Sequence, residues 1–94
     1  MKTGPCALCA RNLPLTFHHL IPKKVHRRPR FAKRLSREQL ARGIDVCRLC
    51  HRAIHRFHDE MTLARDLNTL AALRADAALA RHADWAAKQA VRVD

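Results

Sequence analysis

Two Cys-x-x-Cys pairs, Cys6–Cys9 and Cys47–Cys50, are separated by 37 residues in a chain of only 94. A chain this short makes one domain and buries little apolar surface, so a metal, disulfides or a partner commonly completes it. Each Cys-x-x-Cys turn can grip an ion through two sulfurs while its backbone N–H groups point at them. The pattern therefore predicts a single tetrahedral zinc site built from Cys6, Cys9, Cys47 and Cys50. Four reduced structural thiols or two redox pairs are the alternatives, and redox pairs sit in a thioredoxin-like βαβ setting that this sequence lacks. A shared zinc would tie the first ten residues to the middle of the chain. Structural sites of this kind give about 10–16 kcal/mol of apparent binding, a large part of what holds a small domain folded.

The remaining composition fits that picture. The hydrophobic share of 48% is mostly Ala and Leu, and the aromatic share is 4%. Such a mixture favours helices over sheets and leaves few large core-fillers. No apolar run reaches the 18 residues of a membrane span. The opening Met-Lys-Thr-Gly-Pro has no apolar stretch of the signal-peptide kind. A cytoplasmic location is the expectation, and there Cys-x-x-Cys pairs read as metal sites.

Charge is distributed unevenly. The formal net charge is +11, yet residues 1–37 contain ten Lys or Arg and no acid, while residues 38–94 are nearly neutral. A zinc held by four thiolates lowers the net charge by two, to about +9. An asymmetry of that size points to a polyanionic partner, most simply nucleic acid. Its densest part is Lys23, Lys24, Arg27, Arg28, Arg30, Lys33 and Arg34. These side chains suit phosphate neutralisation rather than base readout. A solvated charged loop is the plainer reading.

Local patterns predict the elements. Residues 1–11 read as a zinc knuckle, and residues 12–21 as an extended segment ending at Pro22. Residues 22–37 read as a basic loop outside the core. Ser36 and Gln39 match a capping box for a short helix over about 37–42, stopped by Gly43. Ile44–Val46 alternates as a brief strand. His51 to Phe57 should be helical, with His51 and His55 on one face and Arg48, Arg52 and Arg56 along another. From Asp59 onward Leu63, Leu67, Leu70 and Leu73 follow helical spacing, with a break at Asn68-Thr69. Ala77 to Val91 makes a last helix, with Leu79, Ala83, Ala86, Ala87 and Ala90 facing inward and Trp85 as a packing anchor.

The histidines carry the chemistry. His51 and His55, four apart on a helix, form a two-nitrogen metal platform. His18 and His19 are adjacent on an extended segment, so their side chains point to opposite sides. One of them can ligate an ion beside which the other stays free. Hydrolysis needs that separation: a metal to stabilise charge, and an uncoordinated imidazole to take a proton from water.

His18-His19-Leu20-Ile21-Pro22, together with Cys47-x-x-Cys50-His51-x-x-x-His55, resembles the HNH endonucleases of the ββα-metal class. The nearest variant is the small bacterial type with four zinc-binding cysteines, and the histidine layout is similar to that of the nuclease colicins. The resemblance covers residues 6–58. It implies an α+β fold in which a ββα-metal finger is stapled by a four-cysteine zinc site, followed by C-terminal helices over residues 59–94. It further implies His19 as general base and His18, His51 and His55 as ligands of a catalytic divalent metal. The activity implied is DNA cleavage with the 3′ oxygen as leaving group, as a nick from one finger or a double cut from a two-fold pair. Imidazole ligands favour Mn²⁺, Ni²⁺ or Zn²⁺ over Mg²⁺.

One position departs from the family. The asparagine that braces the base-carrying loop should fall at Arg42, and no Asn lies between Asn12 and Asn68. His26, Arg42 and Asp45 are the candidates to replace it; His26 has a second reading as a phosphate or metal contact, with a solvated loop residue as the plainer one. His58 is a further candidate near the metal, and His82 reads as a surface residue. The missing asparagine also fits a second reading, a non-catalytic zinc module that recognises DNA. The open imidazole cluster argues against it.

Overall fold

The computed structural model describes residues 2–90 and is an α+β fold with three strands and six helices among them. Strands β1 (Thr3–Pro5), β2 (Asn12–His19) and β3 (Gly43–Cys47) form one antiparallel sheet in the order β1-β2-β3. The β1–β2 connection is the first Cys-x-x-Cys turn. It is closed by Cys6 N–H to the Arg11 carbonyl at 3.0 Å and Ala10 N–H to the Cys6 carbonyl at 2.9 Å. Ala10 reaches the left-handed region, at φ 66°, to make that closure.

The β2–β3 register pairs Leu15 with Cys47, Thr16 with Val46 and His18 with Ile44. That register brings the two cysteine pairs to one end of the sheet. β3 then passes directly into α3 (Arg48–Phe57), whose N-cap is Cys47; its sulfur accepts the Cys50 N–H at 3.4 Å. The expected strand at Ile44–Val46 and the helix carrying His51 and His55 are both present, each slightly longer than the sequence pattern indicated.

The long β2–β3 connection differs from the expected open arm. It holds a 3₁₀ turn (Lys23–Val25), α1 (Pro29–Ala32) and the capped helix α2 (Arg37–Ala41). Val25 and Phe31 are buried with Ile21 and Ala64 in a small satellite core. Two prolines explain the folding back. Pro22 precedes the 3₁₀ turn and Pro29 opens α1, and a fixed φ at those points suits a helical first turn. The seven basic side chains from Lys23 to Arg34 all remain exposed.

The C-terminal half is three short helices: α4 (Glu60–Asp66), α5 (Leu70–Ala75) and α6 (Ala77–Ala87). Asp59, Thr69 and Asp76 cap them, accepting the N–H groups of Thr62, Ala72 and Leu79 at 2.8, 3.0 and 3.1 Å. The break at Asn68-Thr69 is therefore a recapping point, as its sequence suggested. Leu63, Leu73 and Leu79 pack with Ala53 and Ile54 of α3 in an apolar core.

Trp85 is not an anchor: it is 53% exposed. Leu79 and Ala86, seven residues apart, set the buried stripe of α6, and Trp85 lies about a hundred degrees off it. Ala87 and Ala90 are exposed for related reasons, one off the stripe and the other beyond the helix end. Val91, the expected end of this helix, lies outside the described residues. None of the described helices is long and apolar enough to cross a membrane.

Candidate metal centres

Cys6, Cys9, Cys47 and Cys50 are all buried, and their sulfurs lie within 4.8 Å of one another. Cys9 Sγ and Cys47 Sγ are 3.9 Å apart. A disulfide requires about 2.05 Å. Sulfurs bound at about 2.3 Å to a tetrahedral ion stand roughly 3.8 Å from each other. The thiol set therefore fits a metal such as zinc. Hydrogen bonds from Cys47 and Cys50 push Cys6 down toward the thiolate, while those with Cys47 and Cys6 push Cys50 up. The cluster tolerates one negative charge and resists the next. A dication at its centre reverses that resistance.

Two arginines close this region. Arg11 Nε donates to Cys9 Sγ at 3.5 Å and its Nη2 to Cys47 Sγ at 3.9 Å, while Nη1 reaches the Gln89 carbonyl at 3.5 Å. The hydrogen bond to Cys9 raises the Arg11 pKa further. Arg74 donates twice to the Ala7 carbonyl, at 3.2 and 2.9 Å. Helices α5 and α6 are thereby fastened to the knuckle. Neither arginine stood out in the sequence; Arg11, two residues beyond Cys9, was the more visible of the two.

The second cluster is built from β2 and α3. His18 is 1% exposed, and its ring centroid lies 5.3 Å from that of His51 and 5.2 Å from that of His55. Ligand nitrogens of these three imidazoles fall within 4.8 Å of one another. Both ring nitrogens of His18 are buried without a hydrogen-bond partner. An orphaned buried imidazole is costly, and a metal at the cluster would satisfy one of its nitrogens. Burial, with the neighbouring imidazoles adding to it, pushes the His18 pKa down to about 4. Burial also lowers His51. Neutral rings with free lone pairs are what a divalent ion requires.

His19 faces away from this cluster, as alternation along the strand demands. Its ring meets the exposed Phe17 edge-on at 4.9 Å and His26 at 5.9 Å. It nevertheless opens into the same 240 Å³ cleft that His18, His51 and His55 line, together with Lys23, Lys24 and Glu60. Burial, then the charges of Lys23 and His26, lower its pKa. The neutral imidazole of His19 is thus favoured beside the three-histidine cluster. A second groove, of 310 Å³, is lined by Arg48, His51, Arg52 and His55. Arg56 is exposed.

The three loop-brace candidates separate clearly. His26 Nε2 donates to the Ile21 carbonyl, holding the turn that follows His19. Arg42 acts through its main chain, its carbonyl accepting the Leu20 N–H at 3.0 Å, and its side chain is exposed. Asp45 is occupied elsewhere, by Lys2 Nζ at 2.8 Å. His58 is not at the cluster: its Nε2 donates to Asp76 at 3.0 Å. His82 is half-buried between Phe57 and Trp85 rather than a plain surface residue.

Comparison with known proteins finds a relative over most of the chain. YisB of Bacillus subtilis (strain 168), described as an uncharacterized protein, is 38% identical over 87 residues, covering 92% of this chain and 76% of YisB. No protein-family model matches the chain, and no solved structure gives a significant match.

Proposed function

This chain belongs to the family of the Bacillus subtilis protein YisB, and we propose that it is a metal-dependent DNA endonuclease of the HNH class. The observation that carries the proposal is the division of labour between two adjacent residues. His18 is buried in a three-imidazole cluster, while His19 stays outside that cluster but within the same cleft. In this reading β2, β3 and α3 are the ββα-metal finger, and the cysteine site is the zinc staple that fixes α3 against β2.

His18, His51 and His55 would hold a divalent cation, Mn²⁺, Ni²⁺ or Zn²⁺ more readily than Mg²⁺. When bound, such an ion supplies Lewis-acid stabilisation of charge on the phosphate and on the departing 3′ oxygen. His19, neutral and partly exposed, would take the proton from the attacking water. The bond from His26 to the Ile21 carbonyl steadies the turn after His19. It does the bracing that the asparagine performs in the HNH pattern, where this chain has Arg42. Arg48 and Arg52, beside the imidazoles in the second groove, would hold phosphate oxygens. The exposed cations from Lys23 to Arg34 would track the duplex backbone, giving binding that weakens steeply with salt.

The test is a cleavage assay on supercoiled plasmid with Mn²⁺, Ni²⁺ or Mg²⁺, each with and without chelator. Nicked or linear product should appear with metal. His19→Ala should abolish it while DNA binding and zinc content persist. Full activity in His19→Ala would remove this residue as the base. DNA binding with no cleavage under any metal would favour a non-catalytic DNA-recognition module instead.

A further inference from the structure

Thr16 lies two residues before His18 on β2, so both side chains share one face of the strand. Its hydroxyl oxygen stands 3.0 Å from the Val46 carbonyl and 2.8 Å from His51 Nδ1. A threonine hydroxyl has one proton to give and lone pairs to receive. A carbonyl can only accept. Both contacts are satisfied in one way: Thr16 donates to Val46, and His51 donates from Nδ1 to Thr16. The proton of His51 is then fixed on Nδ1, and the lone pair is left on Nε2.

We propose that Thr16 is a positioning residue that sets the tautomer and ring orientation of His51, so that Nε2 is the nitrogen offered to the metal. This rests on the metal-site reading above and deepens it. Val46 is fully buried, and it pairs with Thr16 across the β2–β3 ladder. The acceptor that receives the Thr16 proton is therefore a fixed main-chain group. The chain of contacts runs from sheet backbone to hydroxyl to imidazole. Outer contacts of this type hold ligands in register, and losing them commonly weakens metal binding by about 10–100-fold.

The experiment uses the full chain loaded with one equivalent of zinc. Calorimetric titration with Ni²⁺ reads the second site in wild type, Thr16→Val, Thr16→Ser and His51→Ala. Nitrogen-15 NMR of the histidine rings reads the His51 tautomer directly. Thr16→Val should bind Ni²⁺ about 10–100-fold more weakly and show a mixture of tautomers, with its zinc content unchanged. Thr16→Ser should restore both readouts. Equal Ni²⁺ affinity in Thr16→Val, or a wild-type His51 protonated on Nε2, overturns the proposal. If Thr16→Val does not fold, the wild-type tautomer still decides the point. A wild type that takes up no second ion contradicts the metal reading itself, whatever the His51 tautomer proves to be.

Discussion

Arg11 and Cys9, two residues apart, are joined by an N–H···S hydrogen bond of 3.5 Å, and the same guanidinium reaches Cys47 on the far side of the cluster. One side chain thus spans both halves of the thiol site. Charge-assisted donors to sulfur withdraw electron density and shield it from attack. Arg11→Ala should therefore speed zinc release to a chromogenic chelator in the presence of a thiol-modifying reagent. Arg11→Lys should recover part of the loss, since it keeps the charge but not the planar fork.

Cys47 does two things at once, supplying a sulfur to the cluster and capping α3 through the Cys50 N–H. Cys47→Ser preserves a capping oxygen but removes one soft ligand. Zinc content should fall well below one equivalent, and thermal unfolding should lose its cooperativity. The expected loss is several kcal/mol, a fraction of the ~10–16 kcal/mol that such sites supply.

Ala10 carries a left-handed backbone at φ 66°. That conformation costs an L-residue roughly 1–2 kcal/mol and glycine little. Ala10→Gly gives back some of the gain in unfolded-chain entropy. A net stabilisation of about 1 kcal/mol is expected, or some 4–8 °C in Tm for a domain of this size, with metal content unchanged. A lower Tm would mean that the knuckle does not close as described.

Gly43 sits opposite His19 in the ladder, and a methyl group there would collide with the Phe17 ring and the His18 carbonyl. The ring can swing, but the carbonyl belongs to the strand that carries both histidines. Gly43→Ala should destabilise by about 1–3 kcal/mol. Because Phe17 rests edge-on against His19, it should also lower any cleavage activity more than zinc content.

Asp76 caps α6 and accepts from His58 at 3.0 Å. Burial alone would raise its carboxyl, but the His58 bond and the Leu79 N–H outweigh it and hold the pKa below the ordinary range. A depressed carboxylate stabilises the fold fully above its unfolded value, near pH ~3.9. That contribution is lost as pH falls through the lower folded value. Asp76→Ala should cost about 1–2 kcal/mol at neutral pH. The gap between the variant and wild type should close in acid, as followed by urea unfolding at a series of pH values.

The sequence made some of this legible and hid the rest. The cysteine pairs and the His51–His55 pair could be read because turn spacing and the i, i+4 helical repeat are local. The same holds for the caps at Ser36 and Thr69. The choice of His18 over His19, by contrast, came only with the family resemblance, and the tertiary fold brings His18 to His51 and His55. Val25 and Phe31 were obscured because they sit among seven cations, and their burial depends on Ala64, more than thirty residues away. Trp85 misled because size suggests burial, whereas the phase of α6 is set by Leu79 and Ala86. The His26 bond to Ile21 was one of three open choices, and only tertiary geometry separates them. Thr16 was invisible for the same reason, although its place two residues before His18 on one strand was a usable hint.

The central claim is that three imidazoles grip an ion while a fourth, next door in sequence, stays free. Anomalous diffraction at metal absorption edges, from crystals grown with zinc and Mn²⁺ or Ni²⁺, addresses it most directly. The expected map has two separate ions: one at about 2.3 Å from four sulfurs, and one bound by nitrogens of His18, His51 and His55 with His19 uncoordinated. A single ion at the cysteines alone, or a second ion ligated by His19, would contradict it.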